Sequence, residues 1–597
     1  MSFEKLNVVE VRDPRTIITN KREYAILRAG SQTTCKTFTT TSVSQSSIQF
    51  SCPPPSGSII IDRKMYLTLP IRLVFTGTAP AGETLLNPFQ DAPRAFPISS
   101  AIDTIQVTIN NQSVSIQMAD IIHALLHFNT DEDLQETDYS MTPSALDQSQ
   151  HYNYLIGGTR NPLAFYTDTA DKSVMPRGAF PYTVVQNTNT SAIIDMVVTE
   201  PLFISPFYWG KNNSSGFCNV NTMDFNITFL NQSGNRMWSH DNAILGSGVQ
   251  TVINSISASF ANFTGPAFSY PQTQPLMLFT YITPNETQII PTNVPLTYPY
   301  FDIQRFPTDA PSVAAGAQTT LSSNNIQLNS IPRRMYIYIR ERNQDLFSSP
   351  DGTDTYFSIE NISIQFQNKN GLLASASKQQ LYQMSVKNHC KMNWTQWSGG
   401  PVNRSTIPFG QTNLLYGTIG SIICVEFASD IGLSSLEAPG KLGQYTLQVQ
   451  IPSATNISDR VITPTLYIVV VSEGTFTIRG VGDASTNIGV ISSQDILNAQ
   501  QSPAVDYRDV EEINGGNFLS GLTDFGKKIF KGALKVNDIL RDSKLLSKTL
   551  SQIPHPYAQA AAPFARSFGY GCNDCDGGVV VGGKRLSRRR LLEQLRR

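Results

Sequence analysis

The sequence predicts an all-β protein built as two sandwiches in tandem, on three observations. Charged residues make up only 15% of the 597, against about 25% in an average globular chain. Ser, Thr, Asn and Gln fill the gap, alongside 22 Tyr, 31 Phe, 35 Pro and 39 Gly. Such a composition suits strands joined by many turns. It excludes a long-helix, collagen-like or highly charged disordered chain. Second, apolar and polar residues alternate over strand-sized runs. Third, a set of short segments recurs in the same order. A chain of this length also exceeds what one hydrophobic core usually supports.

The repeat organises the body. Ala29-Gly-Ser-Gln-Thr-Thr34 returns as Ala315-Gly-Ala-Gln-Thr-Thr320, and Ser47-Ile-Gln-Phe50 as Asn325-Ile-Gln-Leu328. Ile61-Asp-Arg-Lys-Met-Tyr-Leu-Thr-Leu69 returns as Ile331-Pro-Arg-Arg-Met-Tyr-Ile-Tyr-Ile339. Ile102-Asp-Thr-Ile-Gln-Val-Thr-Ile-Asn-Asn111 returns as Ile359-Glu-Asn-Ile-Ser-Ile-Gln-Phe-Gln-Asn368. Four matches in one order indicate a duplicated domain.

The repeated pieces read as strands. Ile105, Val107 and Ile109 alternate with polar residues, as do Ile362, Ile364 and Phe366. Period two places one face in a core and the other in water. Asn110-Asn111-Gln112 and Asn368-Lys369-Asn370-Gly371 supply turn chemistry after them. Phe225, Ile227 and Phe229 continue the pattern in the first half, and Tyr445, Leu447, Val449 and Ile451 in the second. Pro275–Ile282 and Pro464–Val471 read as closing strands. Each half also holds one helical stretch, Met118–Phe128 and Ser377–Val386. Many short strands with long loops, twice over, predict a tandem (double) jelly roll. The expected division is 1–290 for the first jelly roll and 291–500 for the second.

A different register begins after Gln500. Residues 501–516 read as a linker. From Asn517 to Arg597 there are 15 basic and 6 acidic residues, a net +9; the other 516 carry 30 and 40, a net −10. A basic tail on an acidic body points to an anionic partner for the tail. Phe518, Leu522, Phe525, Ile529, Ala533, Val536 and Leu540 fall at helical spacing, with Lys527, Lys528, Lys531 and Lys535 mainly opposite. That is a basic amphipathic helix, suited to a membrane interface or a partner groove. The end, with Lys584, Arg585, Arg588, Arg589 and Arg590, suits phosphates of a genome or an acidic partner; its bland reading is a solvated terminus.

The N-terminus is polar and charged, without the apolar core of a signal peptide, so secretion by that route is not expected. No apolar run reaches the roughly 18 residues of a membrane span. Seven widely spread cysteines do not form a disulfide framework, and those of the body are expected reduced and buried.

Catalytic and cofactor signatures fail on inspection. Gly578-Val-Val-Val-Gly-Gly-Lys584 is followed by Arg585, so the magnesium-binding hydroxyl of a phosphate loop is missing. His123 and His127 stand one helical turn apart, but Ala124 occupies the place of a zinc protease's glutamate. Cys572-Asn-Asp-Cys575 has no second ligand pair. Neither an enzyme nor a cofactor is expected.

The chain resembles the double-jelly-roll major capsid proteins of virophages and Polinton-like viruses. The tandem sandwiches carry the resemblance over most of residues 1–500, with segments such as Phe96-Pro-Ile-Ser-Ser100 and Leu296-Thr-Tyr-Pro-Tyr-Phe301. It implies a homotrimer of pseudo-hexagonal outline that tiles an icosahedral virion shell and meets penton and minor capsid proteins. Assembly is expected in the host cytoplasm or a viral factory. Related viruses carry an adenovirus-type cysteine protease that cuts after hydrophobic-x-Gly-Gly. Ile513-Asn514-Gly515-Gly516 matches, which makes the bond before Asn517 a candidate cleavage site and 517–597 a removable region. Two glycines let an extended segment enter a cleft that any Cβ would block. The amphipathic segment resembles the membrane-disrupting part of an adenoviral minor capsid protein, for a host membrane; a scaffold helix docked inside its own capsomer stays open beside it. The alternative function is a carbohydrate-binding sandwich, a lectin or glycosidase, with Tyr208, Trp209, Trp394 and Trp397 as stacking aromatics.

Overall fold

The computed structural model describes residues 32–54, 59–86, 91–128, 141–143, 182–207, 216–240, 252–261, 274–284, 295–342, 345, 355–399, 402–404, 414–416, 419–434, 436–458, 461–479, 482–489, 578–581 and 584–587. The chain divides into two compact units, Met1–Asp524 and Phe525–Arg597.

The first unit begins with two facing sheets. One sheet orders Gln32–Thr39 (β1), Leu276–Thr283 (β14), Tyr66–Thr78 (β5), Ser191–Pro201 (β10) and Thr183–Asn187 (β9), with Ile60–Ile61 (β4) and Val252–Ser259 (β13) at its margins. The other orders Ser42–Val43 (β2), Ser47–Ser51 (β3), Met223–Phe229 (β11), Ile102–Ile109 (β7) and Gln112–Gln117 (β8). A short pair joins Asp91–Pro93 (β6) to Trp238–His240 (β12). Taking the eight main strands in chain order, one sheet runs first, eighth, third, sixth, and the other second, seventh, fourth, fifth. That is jelly-roll winding.

The same winding follows a second time. One sheet orders Leu296–Asp309 (β15), Pro464–Ile478 (β25), Arg334–Glu341 (β18) and Ile423–Glu426 (β23), with Ala484–Ile488 (β26) on β25. Its partner orders Gln318–Ser322 (β16), Leu442–Thr455 (β24), Ser358–Phe366 (β19) and Lys369–Leu372 (β20), with Ile326–Ser330 (β17) continuing the β16 edge. Val402–Arg404 (β21) and Leu414–Tyr416 (β22) form a separate ribbon.

Three of the four repeated segments land on equivalent strands: β3 with β17, β5 with β18, β7 with β19. The first does not. Residues 32–34 start β1, paired to β14, whereas 318–320 start β16, paired to β24 in the opposite sheet. The counterpart of β1 is β15, which pairs β25 as β1 pairs β14. An alternating Thr/Gln edge is too undemanding a pattern to distinguish the two positions.

Prolines mark places where a ladder is interrupted. The sequence shows only the start of β5, because Pro70 cannot donate to a ladder. The strand runs through it because Pro70 pairs only with Val197: β14 pairs up to Thr68 and β13 only from Arg72. Pro452 sits in β24 where the registers with β16 and β19 both shift, at bulges that ask for no donor. The hairpin from β7 to β8 turns at Asn110, φ 55°, and that from β19 to β20 at Gln367, φ 52°. The second turn thus comes earlier than its Asn368–Gly371 run suggests, and that run begins β20.

Helices follow at equivalent places. Pro97–Ala101 (α1) precedes β7, Met118–Leu126 (α2) follows β8, and Ser233–Met237 (α3) follows β11. In the second sandwich Lys378–Lys387 (α4) follows β20, then come Trp394–Ser398 (α5) and Phe427–Asp430 (α6). A capping box starts α4: Ser377 Oγ accepts from the Gln380 amide, and Gln380 Oε1 accepts from that of Ser377. In the second unit, Gly578–Val581 (β27) pairs with Lys584–Ser587 (β28).

Candidate assembly seam between the two sandwiches

The candidate functional surface is where sandwich meets sandwich, joined by contacts from β18 and β15 to α2. The repeat already contains the signal: β18 reads Arg-Met-Tyr-Ile-Tyr-Ile-Arg-Glu, with large side chains on both faces. A strand apolar or aromatic on both faces is buried on both. All eight residues of β18 are buried. Met335, Ile337 and Ile339 lie on one face, and Tyr336, Tyr338 and Arg340 on the other. The latter three meet the first sandwich.

What they meet is α2, all nine residues of which are buried. The Tyr338 hydroxyl donates to the Asp120 carbonyl. Arg340 donates to the Ala119 carbonyl at 3.0 Å and to Asp120 Oδ1 at 3.4 Å. Arg305 of β15 lies 2.5 Å from Asp120 Oδ2. One carboxylate of the first sandwich therefore faces two guanidinium groups of the second. Asp120 sits in the first turn of α2, where the helix dipole also favours an anion. Arg340 rests 5.3 Å from the centre of the Tyr467 ring, which stacks on Tyr338 at 5.4 Å. Phe128 meets Tyr336 edge to face at 4.9 Å. Burial beside Asp120 raises the Asp103 carboxyl, against the pull of Arg305. Next to it the seam opens into a cleft of about 510 Å³ lined by Asp103, Asp120, Asp309, Arg236, Arg305 and Arg342, both signs interspersed.

Two further contacts extend the seam. The Tyr298 hydroxyl donates to the Gly216 carbonyl at 3.0 Å and accepts from the Cys218 amide at 3.1 Å. Arg63 lies over the Tyr298 ring at 5.4 Å, and Phe217 packs on that ring at 5.1 Å. At the hairpin tip, Asn111 donates to Asp483 at 3.1 Å and accepts from the Ala484 amide at 2.7 Å. Sequence reasoning singled out none of Asp120, Arg305 or Arg340. The readable hint was Arg340 following the large apolar and aromatic run Met335–Ile339 within a buried strand.

The residues singled out from sequence fare differently. Ile513, Gly515, Gly516 and Asn517, and the apolar row Phe518, Leu522, Phe525, Ile529, Val536 and Leu540, lie outside the described residues, as do Arg588, Arg589 and Arg590. Lys584 and Arg585 lie in β28, in strand. His123 is buried against Arg236, and His127 edges the Tyr356 ring, so the pair packs. No group of three His, Cys, Asp or Glu is placed to hold a metal among the described residues. Within those residues, no helix is long and apolar enough to cross a membrane. Asp91, His240 and Trp238 form a buried cluster, Asp91 Oδ1 lying 2.7 Å from His240 Nδ1 and 2.9 Å from Trp238 Nε1. It pins β6 to β12. Cys52, Cys390 and Cys424 are buried as expected and Cys218 is half-buried, but Cys35 is exposed, because β1 is a sheet edge bare on both faces.

The stacking aromatics need correction. Tyr208 and Trp209 lie outside the described residues. Trp397 is fully buried, its indole N–H donating to the Ile422 carbonyl at 2.8 Å, so it cannot meet a sugar. Of the two described, Trp394 shows an open face. Trp397→Phe is expected to cost about 1–2 kcal/mol by leaving that carbonyl unmet and the site underfilled. A lowered unfolding midpoint measures this; an unchanged midpoint contradicts it.

Comparison with known proteins adds to this geometry. Residues 3–270 match the family described as Sputnik virophage major capsid protein 1st domain. Residues 304–474 match Major capsid protein V20 C-terminal domain. The chain is 36% identical, over 99% of both sequences, to the putative capsid protein V20 of Sputnik virophage. It superposes on a chain of the cryo-EM structure of the Sputnik virophage with a TM-score of 0.71, at 35% identity, covering 85% of this chain and 98% of that one. The mavirus major capsid protein has the same fold, with a TM-score of 0.62 at 16% identity, over 84% of this chain and 99% of that one.

Proposed function

Because the chain belongs to the virophage major capsid protein family, we propose that it assembles as a homotrimer whose six sandwiches give a pseudo-hexagonal footprint and tile an icosahedral shell. It is a structural capsid protein, not an enzyme. The observation that carries the assembly reading is the similarity to a capsid protein over 99% of both chains. The paired winding supports it, since one chain supplies two equivalent tiles joined by a buried seam.

In this reading residues 1–290 and 291–500 are the two tiles and 501–516 the linker. A viral cysteine protease cuts after Gly516, and residues 517–597 aid assembly before release. The support is the Ile513–Gly516 pattern at the step from an acidic body to a basic tail. The amphipathic segment then meets a host membrane, and the basic end meets genome phosphates or an acidic partner. Penton and minor capsid proteins complete the shell, assembled in the cytoplasm or a viral factory.

The test compares the full chain with residues 1–516 by size-resolved mass measurement and negative-stain microscopy. The expected result is trimers of hexagonal outline from both, with shells only from the full chain. Stable monomers of both over a range of salt and pH would overturn the reading.

A further inference from the structure

We propose that the seam binds one small zwitterionic amphiphile, its alkyl chain in an apolar hole beside the charged cleft and its headgroup in the cleft. One chain supplies every residue, so the site is independent of the assembly reading.

The hole lies between α2, the segment after β10, and β15, with Ile122, Leu125, Ile204, Phe301 and Ile303 in its wall. Its volume is about 40 Å³, several times the roughly 10–15 Å³ that one water needs. Among its described lining residues Ser205 alone has a polar side chain, and Ser205 Oγ already accepts from the Phe301 amide at 2.9 Å. A held water needs roughly two to four polar partners. One hydroxyl does not supply them, so the hole is dry and suits hydrocarbon. Ser205 and Ile303 are half-buried and the other lining residues are buried, which places the mouth at these two.

Two elements carry the hole into the cleft. On β15, alternation puts Phe301, Ile303 and Arg305 on one face. The first two line the hole and Arg305 lines the cleft. On α2, Ile121 lines the hole and its neighbour Asp120 the cleft. Successive same-face residues of a strand stand about 6.6 Å apart. The two spaces therefore adjoin within the reach of one short chain.

The cleft, of about 510 Å³, offers a headgroup both signs. Arg342 is spent on Asp345, at 2.6 and 2.8 Å. Asp120 is shared between Arg305 and Arg340, which leaves positive charge in surplus at Arg305. Asp103 has no hydrogen bond or ion pair among the described residues, and burial beside Asp120 raises its carboxyl. A phosphate fits Arg305 and a quaternary ammonium fits Asp103. A purely anionic head would meet Asp103, Asp120 and Asp309, and a purely cationic one would meet Arg236, Arg305 and Arg342. A zwitterion answers both sets.

The test titrates the full chain with alkylphosphocholines of six, eight and ten carbons, each below its micelle concentration, in a calorimeter. One molecule is expected per chain, with affinity rising about fourfold per methylene until the hole is full. Ile303→Phe fills the hole and is expected to weaken binding about tenfold or more at an unchanged or raised unfolding midpoint. Asp103→Asn is expected to weaken the phosphocholines about threefold or more and to leave alkyl sulfates no weaker. A diazirine in the alkyl chain gives a readout independent of variant folding. On the unsubstituted chain its photolabel is expected within 118–126 and 301–305 and is displaced by excess phosphocholine. Label spread elsewhere, no saturable binding below the micelle concentration, or Ile303→Phe that binds as the wild type does would overturn the proposal and show the hole to be a packing void. Alkyl sulfates or alkyltrimethylammonium ions that bind as tightly as the phosphocholines would overturn the zwitterionic class.

Discussion

Asp120→Ala is expected to lower the stability of the chain by about 3–5 kcal/mol, the cost of breaking a buried ion pair from one side. Asp120 is 4% exposed and Arg340 2%. Removing the carboxylate leaves two guanidinium groups facing a small cavity across the seam. Arg340 keeps the Ala119 carbonyl and the Tyr467 face, which places the effect toward the lower end. The informative partner is Asp120→Leu with Arg340→Met. A buried pair exchanged for apolar side chains of similar volume is often neutral, because both desolvation costs vanish with the attraction. The double variant is therefore expected to recover most of the loss in unfolding midpoint. Singles that match the wild type would show that the cleft hydrates the pair and that aromatic packing holds the sandwiches together. Because the seam joins two sandwiches, a second signature is expected: the single variant should unfold in a broader transition, as the sandwiches lose their coupling.

How much of this was legible in the sequence depended on the range of the interaction. Period-two alternation gave β7, β11, β19 and β24 nearly residue for residue, because each has one wet face. The capping pair Ser377 and Gln380 fixes the start of α4 within the chain itself. The closing strand β25 runs on to Ile478, past the expected Val471, since the continuation Ser-Glu-Gly-Thr breaks the apolar run while pairing with β15 and β26 continues. Asp120 was illegible because its partners Arg305 and Arg340 lie far along the chain, in the second sandwich, and a lone aspartate on a helix reads as a solvated face. Trp397 misled for the reverse reason: a tryptophan among Asn, Thr and Gln looks like a surface aromatic until Ile422, just before β23, closes over it. The repeat itself carried the most information, since it predicted the second sandwich.

Glu200 is expected to make the protein more stable in mild acid than above neutrality. It lies in β10, 1% exposed, and caps the five-residue α1 from outside. Its carboxyl accepts from the Ile98 and Ser99 amides at 2.7 and 2.8 Å, from Ser99 Oγ at 2.6 Å and from Thr142 Oγ1 at 3.3 Å. Those amides are the donors a helix start leaves unpaired, and Pro97 before them has none to offer. Burial pushes the carboxyl up to about 7 from its usual 4.5, and the hydrogen bonds keep it from rising further. A raised acid pKa means the folded state holds a proton that the unfolded state has released. The stabilisation is complete below pH 4.5 and is lost as pH rises through 7. Integrated over that window it amounts to about 3 kcal/mol. Glu200→Gln removes the titration while keeping the shape, so the comparison isolates this group from other acids. The stability difference between wild type and Glu200→Gln, measured by denaturant titration at pH 5 and pH 8, is expected to favour the wild type more at pH 5. A difference independent of pH would mean that the four donors hold the carboxylate charged throughout and that hydrogen bonding, not burial, sets its proton affinity. Glu200→Ala separates the cap from the charge: two orphaned amides at a buried helix start cost stability at both pH values, and the loss should be as large at pH 5 as at pH 8 or larger.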